Sequence, residues 1–180
     1  PEQFKDLVFL RDLDISGNIG IKENIGELLS KMAIHSLSLS SMDLVTVPSF
    51  LSEMLNLKHL ILDNNGIEVL SDDLHMCSNL NSLSLNGNPL KKWDANLVDM
   101  KYLRDVSIKG GVIDLDLLAK SFEDTFLSLV DISQSTITNL PTIPQNESPV
   151  GFRIKDVNFE QDELVEKLHI LFPKSKFYLN

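Results

Sequence analysis

The chain has 180 residues, of which 43% are hydrophobic, so it is long enough to bury one continuous core. Its 26 acidic and 16 basic residues give a formal charge of −10 at pH 7. This charge argues against nucleic acid and acidic membranes as partners, because their binding depends on Lys and Arg, and no run of 18 apolar residues predicts membrane insertion.

One apolar pattern recurs six times, with an aliphatic residue at the first, fourth and sixth positions of each copy. The copies begin 24, 23, 23, 23 and 24 residues apart, at Leu10, Ile34, Leu57, Leu80, Leu103 and Leu127. The chain begins partway through a repeat, which favours the interpretation that it is a piece of a longer protein. Because one copy cannot bury its own leucines, the period predicts stacked layers that bury them together. We expect each fourth to sixth position to form a short strand of one parallel sheet.

The ninth position of each copy predicts how the chain turns away from this sheet. It is an asparagine at Asn18, Asn65 and Asn88, whose amide can satisfy backbone groups exposed by the turn. Other residues take its place in the remaining copies, namely Met42, Gly111 and Ser135. We therefore expect an asparagine ladder that is interrupted in those three copies.

The C-terminal part predicts a different end layer. The segment GFRIKDV predicts a further strand through Phe152 and Ile154, and KFYL predicts a last edge strand. Between them, residues 160–172 place leucines on one helical face, with acids in the first turn. We divide the chain into repeats over 1–145 and a capping region over 146–180, and we expect a further convex-side helix near 114–124.

The repeated pattern resembles the LxxLxLxxNxL core of the leucine-rich repeat family over essentially the whole chain. The segment VPSFLSEMLNL repeats the spacing of PEQFKDLVFL, and this Pro-containing, 23-residue form is most similar to the intracellular Ras-suppressor and LAP-scaffold class. The resemblance implies an α/β fold: a leucine-rich repeat solenoid with a curved parallel sheet on the concave side, an irregular or short-helical convex side, and a helical C-terminal cap.

By the same resemblance, the residues that flank the strand leucines face the concave side, where the family usually binds its partners. Ile61 and Leu129 are apolar at positions where a polar residue would suit a solvated sheet. A solvated strand surface with incidental charges is the alternative interpretation. We define the candidate concave set as Lys58, His59, Ile61, Asp63, Ser84, Asn86, Arg104, Asp105, Lys109, Leu129 and Asp131.

The sequence predicts no catalytic, cofactor or metal site. His35 and His59 lie near aspartates on neighbouring predicted strands, but their spacing matches no metal site, and a shallow sheet offers neither a pocket nor an oxyanion hole. Cys77 falls where other copies place Met54 and Met100, so we expect a core thiol. Trp93 falls in a packing position.

We therefore expect a domain that binds a signalling or regulatory protein, and the resemblance implies a small GTPase or a phosphatase subunit. The single cysteine favours a reducing compartment, hence an intracellular, cytoplasmic location. Two alternatives stay open: a targeting segment of a larger enzyme such as a phosphatase or cyclase, and an extracellular recognition domain that has lost its caps and a signal peptide. The sequence does not decide the oligomeric state, because edge strands at both ends could pair between molecules.

Overall fold

The computed structural model describes residues 7–19, 24–95, 97–139 and 149–179. Within these ranges, the strands in chain order are β1 (Asp12–Asp14), β2 (Ser36–Ser38), β3 (His59–Ile61), β4 (Val69–Leu70), β5 (Ser82–Ser84), β6 (Lys92–Trp93), β7 (Asp105–Ser107), β8 (Val112–Asp114), β9 (Leu129–Asp131), β10 (Thr136–Asn139), β11 (Gly151–Arg153) and β12 (Lys176–Tyr178). The α-helices are α1 (Asn24–Ser30), α2 (Leu115–Ser121) and α3 (Gln161–Leu171).

One eight-stranded sheet runs the length of the molecule, in the order β1-β2-β3-β5-β7-β9-β11-β12. Every pair is parallel and equivalent repeat positions lie opposite each other, so Leu37 faces Leu60 and Leu60 faces Leu83. The strands cover the third to fifth positions, one residue earlier than predicted. The chain leaves the strand at the sixth position, although its N–H still bonds the next strand, as Leu62 N does to Ser84 O at 2.8 Å.

The core is the layered ladder that the repeat predicts. The fourth and sixth positions of the internal repeats are almost fully buried, as Leu60 and Leu62 show. Cys77 lies in the same core, and Trp93 packs edge-on against Phe122, with ring centroids 5.8 Å apart, so both predictions of packing roles are confirmed. Stacking thus buries the apolar side chains that no single repeat could cover.

The convex side contains strands that the sequence did not predict. Two small parallel sheets, β4–β6 and β8–β10, lie there, together with 3₁₀-helices at Ser49–Glu53, Asp72–Met76 and Leu97–Asp99. The convex-side helix predicted near 114–124 is present as α2 but is shorter. It starts only after Asp114, whose Oδ1 accepts the Leu117 N–H at 3.1 Å.

The C-terminal end layer has the predicted elements. β11 and β12 extend the main sheet by two strands, with β12 at its edge, and α3 buries Leu164, Leu168 and Leu171. The predicted boundary at residue 145 lies outside the described residues, as does the whole stretch from Pro141 to Ser148. None of the helices that the structure describes is long and apolar enough to span a membrane.

The asparagine ladder is confirmed in the middle of the solenoid. The buried Asn65 accepts hydrogen bonds from Met42 N at 2.9 Å and Leu44 N at 3.1 Å, and its amide nitrogen donates to Leu39 O at 3.0 Å and Leu62 O at 2.9 Å. Asn65 therefore ties its own turn to the preceding repeat.

The same ladder links later repeats, with one unexpected continuation. Asn88 accepts the Ile67 N–H at 3.1 Å and donates to Leu62 O at 2.9 Å. At Ser135, where we predicted an interruption, the hydroxyl still donates to Ile108 O at 3.1 Å. A serine hydroxyl thus preserves the donor half of the ladder.

Gly111 interrupts the ladder, since it has no side chain to continue it. β6 and β8 lie in adjacent repeats but do not pair, and a cavity of about 220 Å³ lies between them, lined by residues that include Leu90, Trp93 and Gly111. The ladder amides of Asn65 and Asn88 each reach a backbone N–H 21 residues earlier. The equivalent group for position 111 belongs to Leu90, which no ladder amide reaches.

Candidate concave binding surface

The third and fifth positions of each repeat, which are the first and last residues of its strand, form the concave surface, because side chains alternate across a sheet. In β3, Leu60 is 1% exposed, whereas His59 is exposed and Ile61 is half-buried. Lys58, just before β3, is exposed as well. His59 and Ile61 of this strand therefore lie on the face opposite the buried Leu60.

The seventh-position side chains are engaged within the sheet surface itself. Asp63 Oδ1 accepts hydrogen bonds from Ser84 Oγ at 2.6 Å and from Asn86 N at 3.0 Å, while Asp63 Oδ2 accepts from Asn86 Nδ2 at 3.0 Å. Asn86 Oδ1 in turn accepts from Ser107 Oγ at 2.7 Å and from Lys109 N at 2.8 Å. We call this chain of contacts the seventh-position ladder. It orders three members of the candidate set, Asp63, Ser84 and Asn86.

The first repeats contain a shorter version of this ladder. Ser16 donates through its hydroxyl and its N–H to Asp14 Oδ1, at 2.5 and 2.9 Å, and these bonds lower the pKa of Asp14 below its ordinary value. Ser16 Oγ also shares a hydrogen bond of 2.8 Å with Ser38 Oγ and accepts one from Ser40 N at 3.2 Å. Polar contacts between neighbouring repeats thus also form where serines replace the acidic and amide side chains.

Asp131 is buried, with a side chain only 6% exposed, whereas the sequence placed it on the exposed surface. Its Oδ2 lies 3.5 Å from Lys109 Nζ and 3.2 Å from an Arg153 guanidinium nitrogen, and its Oδ1 accepts the Ser133 N–H at 3.1 Å. Burial acts to raise the pKa of Asp131. The hydrogen bond from the Ser133 N–H and the nearby cations outweigh burial and lower it. Asp131 therefore anchors two cations.

The two histidines near the concave face are held apart by separate contacts. His59 Nδ1 shares a hydrogen bond of 2.8 Å with Ser82 Oγ, and His35 Nδ1 lies 2.9 Å from the backbone oxygen of Ala33. In the part of the chain that the structure describes, no three His, Cys, Asp or Glu side chains are grouped to hold a metal ion. The concave face, as far as the structure describes it, therefore presents a fixed shape and fixed charges to a binding partner.

The C-terminal end adds residues that we did not predict. Arg153 follows Asp131 by one repeat at the fifth position, Lys155 lies at the seventh, and Lys176 and Tyr178 lie in the edge strand. At the other margin, the guanidinium of Arg104 lies 5.8 Å from the ring centroid of the exposed Phe126. Aligning Phe152 and Ile154 of the strand predicted at GFRIKDV with the fourth and sixth repeat positions would have found Arg153 and Lys155, which follow Asp131 and Ser133 by 22 residues.

The parallel sheet, the buried aliphatic layers and the asparagine ladder define a leucine-rich repeat solenoid. A solved internalin from Listeria monocytogenes has the same architecture, with a TM-score of 0.57 and 16% sequence identity; the match covers 95% of this chain and 57% of the internalin chain. This chain thus spans little more than half of that protein, and the likeness concerns the fold. No family model and no curated protein matches the sequence.

Proposed function

We propose that this protein binds another protein through the concave surface of its solenoid. The observation that carries the proposal is a single sheet of eight strands in register, which places exposed side chains in fixed rows. Its surface polar groups are already ordered by the seventh-position ladder. A rigid surface loses little conformational entropy on binding, so a modest set of contacts can suffice.

Ile61 and Leu129 support a contact role for this surface. Both side chains are half-buried at concave positions, where they offer apolar area beside charged neighbours. Protein interfaces combine an apolar centre with a polar rim, and this pairing of residues fits that composition. The contact residues that we propose are Lys58, His59, Ile61, Arg104, Asp105 and Leu129.

We further propose an intracellular, cytoplasmic setting and a signalling partner. The buried thiol of Cys77 supports the setting, since a single cysteine leaves no disulfide for an oxidising compartment to form. The resemblance of the repeat to the Ras-suppressor and LAP class supports a small GTPase or a phosphatase subunit as partner. A targeting role within a larger enzyme is compatible with the same surface.

The test compares two triple variants of matched chemistry. The concave variant carries Lys58→Glu, Ile61→Ser and Asp105→Lys. The convex control carries the same three types of change, as Lys120→Glu, Val69→Ser and Glu123→Lys. Circular dichroism and urea unfolding first establish that both are folded.

Wild-type protein is used to capture partners from cell extract, and each captured protein is then purified and its dissociation constant measured. We expect the concave variant to bind at least about tenfold more weakly, which corresponds to about 1.4 kcal/mol, with the control unchanged. Equal affinities for both variants would refute the concave site. A loss confined to the convex control would move the binding site to that side.

A further inference from the structure

The concave surface carries opposite charges at its two ends. On the first four strands of the main sheet, the charged concave side chains are two cations and three acids: Arg11, Lys58, Asp12, Asp14 and Asp63. On the last four strands they are five cations and two acids: Arg104, Lys109, Arg153, Lys155, Lys176, Asp105 and Asp131. We call the five cations the basic half. It stands out in a chain whose net charge is −10.

The buried carboxylate of Asp131 fixes part of the basic half without neutralising it. One oxygen serves two cations, Lys109 at 3.5 Å and Arg153 at 3.2 Å, whose side chains stay 40% and 48% exposed. Each cation therefore keeps donors that point away from Asp131 and can reach a second anion. Because the carboxylate holds them in place, a ligand need not spend as much free energy to order them.

Two further cations extend the charge without any bound acid. Lys155 and Lys176 are exposed and, among the described residues, neither takes part in an ion pair. Arg104 uses its guanidinium on the backbone oxygens of Lys101 and Leu103, at 2.8 and 2.9 Å, and on the ring of Phe126, so its charge also lacks an acidic partner.

Apolar groups lie among these cations. Gly151 has no side chain, and a Cβ at that position would lie 3.2 Å from Tyr178 Cε2 and 3.7 Å from Leu129 Cδ1. Tyr178 and Leu129 therefore both approach Gly151 and form a small apolar area beside Arg153. The exposed Phe126 lies just before β9, on the side where the chain enters the strands of the basic half.

We propose that the basic half binds an acidic segment of the partner protein, one that carries an aromatic or aliphatic residue between its carboxylates. This inference rests on the proposed function and adds the chemistry of the partner. Carboxylates match the cations in charge, and the apolar residue matches the area formed by Leu129 and Tyr178. Nucleic acid fits less well, because the −10 charge of the whole chain repels a polyanion outside the basic half.

The first experiment uses a labelled peptide of ten Asp and Glu residues with one Phe and one Leu at its centre. Fluorescence anisotropy compares it with a twin whose acids are replaced by Asn and Gln and with oligothymidylate of equal charge, at two salt concentrations. We expect binding of the acidic peptide only, weakened by added salt. Equal binding of the neutral twin, tighter binding of the oligonucleotide, or no binding of the acidic peptide would overturn the proposal.

The second experiment uses variants away from the Asp131 ion pairs, so that folding is preserved. Lys155→Glu with Lys176→Glu should weaken peptide binding at least about tenfold, as expected for two reversed charges in direct contact. The matched control, Arg11→Glu with Lys31→Glu at the β1–β2 end of the solenoid, should change it less than about twofold, since it lies beyond the Debye length of about 8 Å at physiological salt. Equal losses in both variants would refute a local site.

The same variants separate this inference from the proposed function. If a purified partner loses affinity for the concave variant at Lys58, Ile61 and Asp105 but not for the Lys155 and Lys176 variant, the concave function stands and the acidic-segment inference fails. If neither variant weakens the partner, both fail. Loss of affinity in the Lys155 and Lys176 variant supports the inference.

Discussion

Replacing Asn65 with alanine should destabilise the solenoid far more than the same change at Asn18, although both occupy the ninth repeat position. Asn65 is 7% exposed and its amide joins two repeats through bonds to Met42, Leu44, Leu39 and Leu62. Asn18 is exposed and donates only to carbonyls of its own turn, Ile15 at 2.9 Å and Ser16 at 3.2 Å. The pair therefore isolates the contribution of the buried ladder.

The magnitude follows from the groups that each substitution leaves without a partner. Alanine at position 65 strands the buried Met42 N–H and the half-buried Leu44 N–H, and each unsatisfied buried donor costs about 1–3 kcal/mol. Leu62 O keeps its bond from Asn88, so its loss adds little. We expect a decrease in the free energy of unfolding of about 3 kcal/mol for Asn65→Ala. For Asn18→Ala, water replaces the amide and we expect less than about 1 kcal/mol.

Urea unfolding measures both values, followed by circular dichroism and by the fluorescence of Trp93, the single tryptophan. With a dependence on urea of about 2 kcal/mol per molar, the Asn65→Ala midpoint should fall by about 1.5 M, and the Asn18→Ala midpoint by less than about 0.5 M. Coincident transitions by the two probes establish that one cooperative unit is observed. Equal shifts for the two variants would refute the role assigned to the ladder.

Three further predictions concern other positions. Gly111→Asn should raise the free energy of unfolding by less than about 1 kcal/mol in urea titrations, because the repeat register places its amide near the Leu90 N–H and it restricts the unfolded chain, but its Cβ would lie 3.3 Å from the backbone oxygen of Asn88, which must shift slightly; Gly110→Asn, at a φ of 68°, is the control and should give no gain. The lowered pKa of Asp131 stabilises the fold above its unfolded pKa of about 3.9, and that stability is lost as the pH falls through the native pKa, so Asp131→Asn should flatten the acid limb of a stability-against-pH curve. Burial raises the pKa of Cys77 to about 11, so a thiol reagent at pH 8 should react slowly with native protein and rapidly in urea; fast reaction of the native form would contradict the core assignment.

The solenoid could be predicted because the buried aliphatic residues that form its core recur with a fixed period. Leu37, Leu60 and Leu83 lie opposite one another in the sheet, and any other register would expose them. The asparagines at positions 65 and 88 were predictable for the same reason, since the turn that they stabilise recurs with the period. The convex strands were not predictable, because β4 and β6 have two residues each and show no alternation.

The burial of Asp131 depends on a contact that repeat columns cannot show. The fifth positions of the earlier repeats are an exposed aspartate and half-buried serines and isoleucine. No residue type among them distinguishes Asp131 as a buried position. What covers Asp131 is Lys109 from one neighbouring repeat and Arg153 from the other, so its exposure is decided by a triad spread over 44 residues, the separation of positions 109 and 153. Strand pattern predicts where a side chain points, whereas burial also requires knowing which neighbours fold over it.

Some candidate residues belong to the seventh-position ladder and others lie outside it, and this difference determines which of them can be substituted to test binding. Asp63, Ser84 and Asn86 bond one another across neighbouring strands, so their substitution disturbs the sheet surface before any partner arrives. An affinity lost through such a variant would mix lost contact with lost order. Lys58 and Asp105 are exposed outside this ladder, and substitution there changes charge and leaves the hydrogen bonds of Asp63 and Asn86 intact. Binding energy assigned to the concave surface must therefore be measured at the strand positions, with the ladder left in place to hold them.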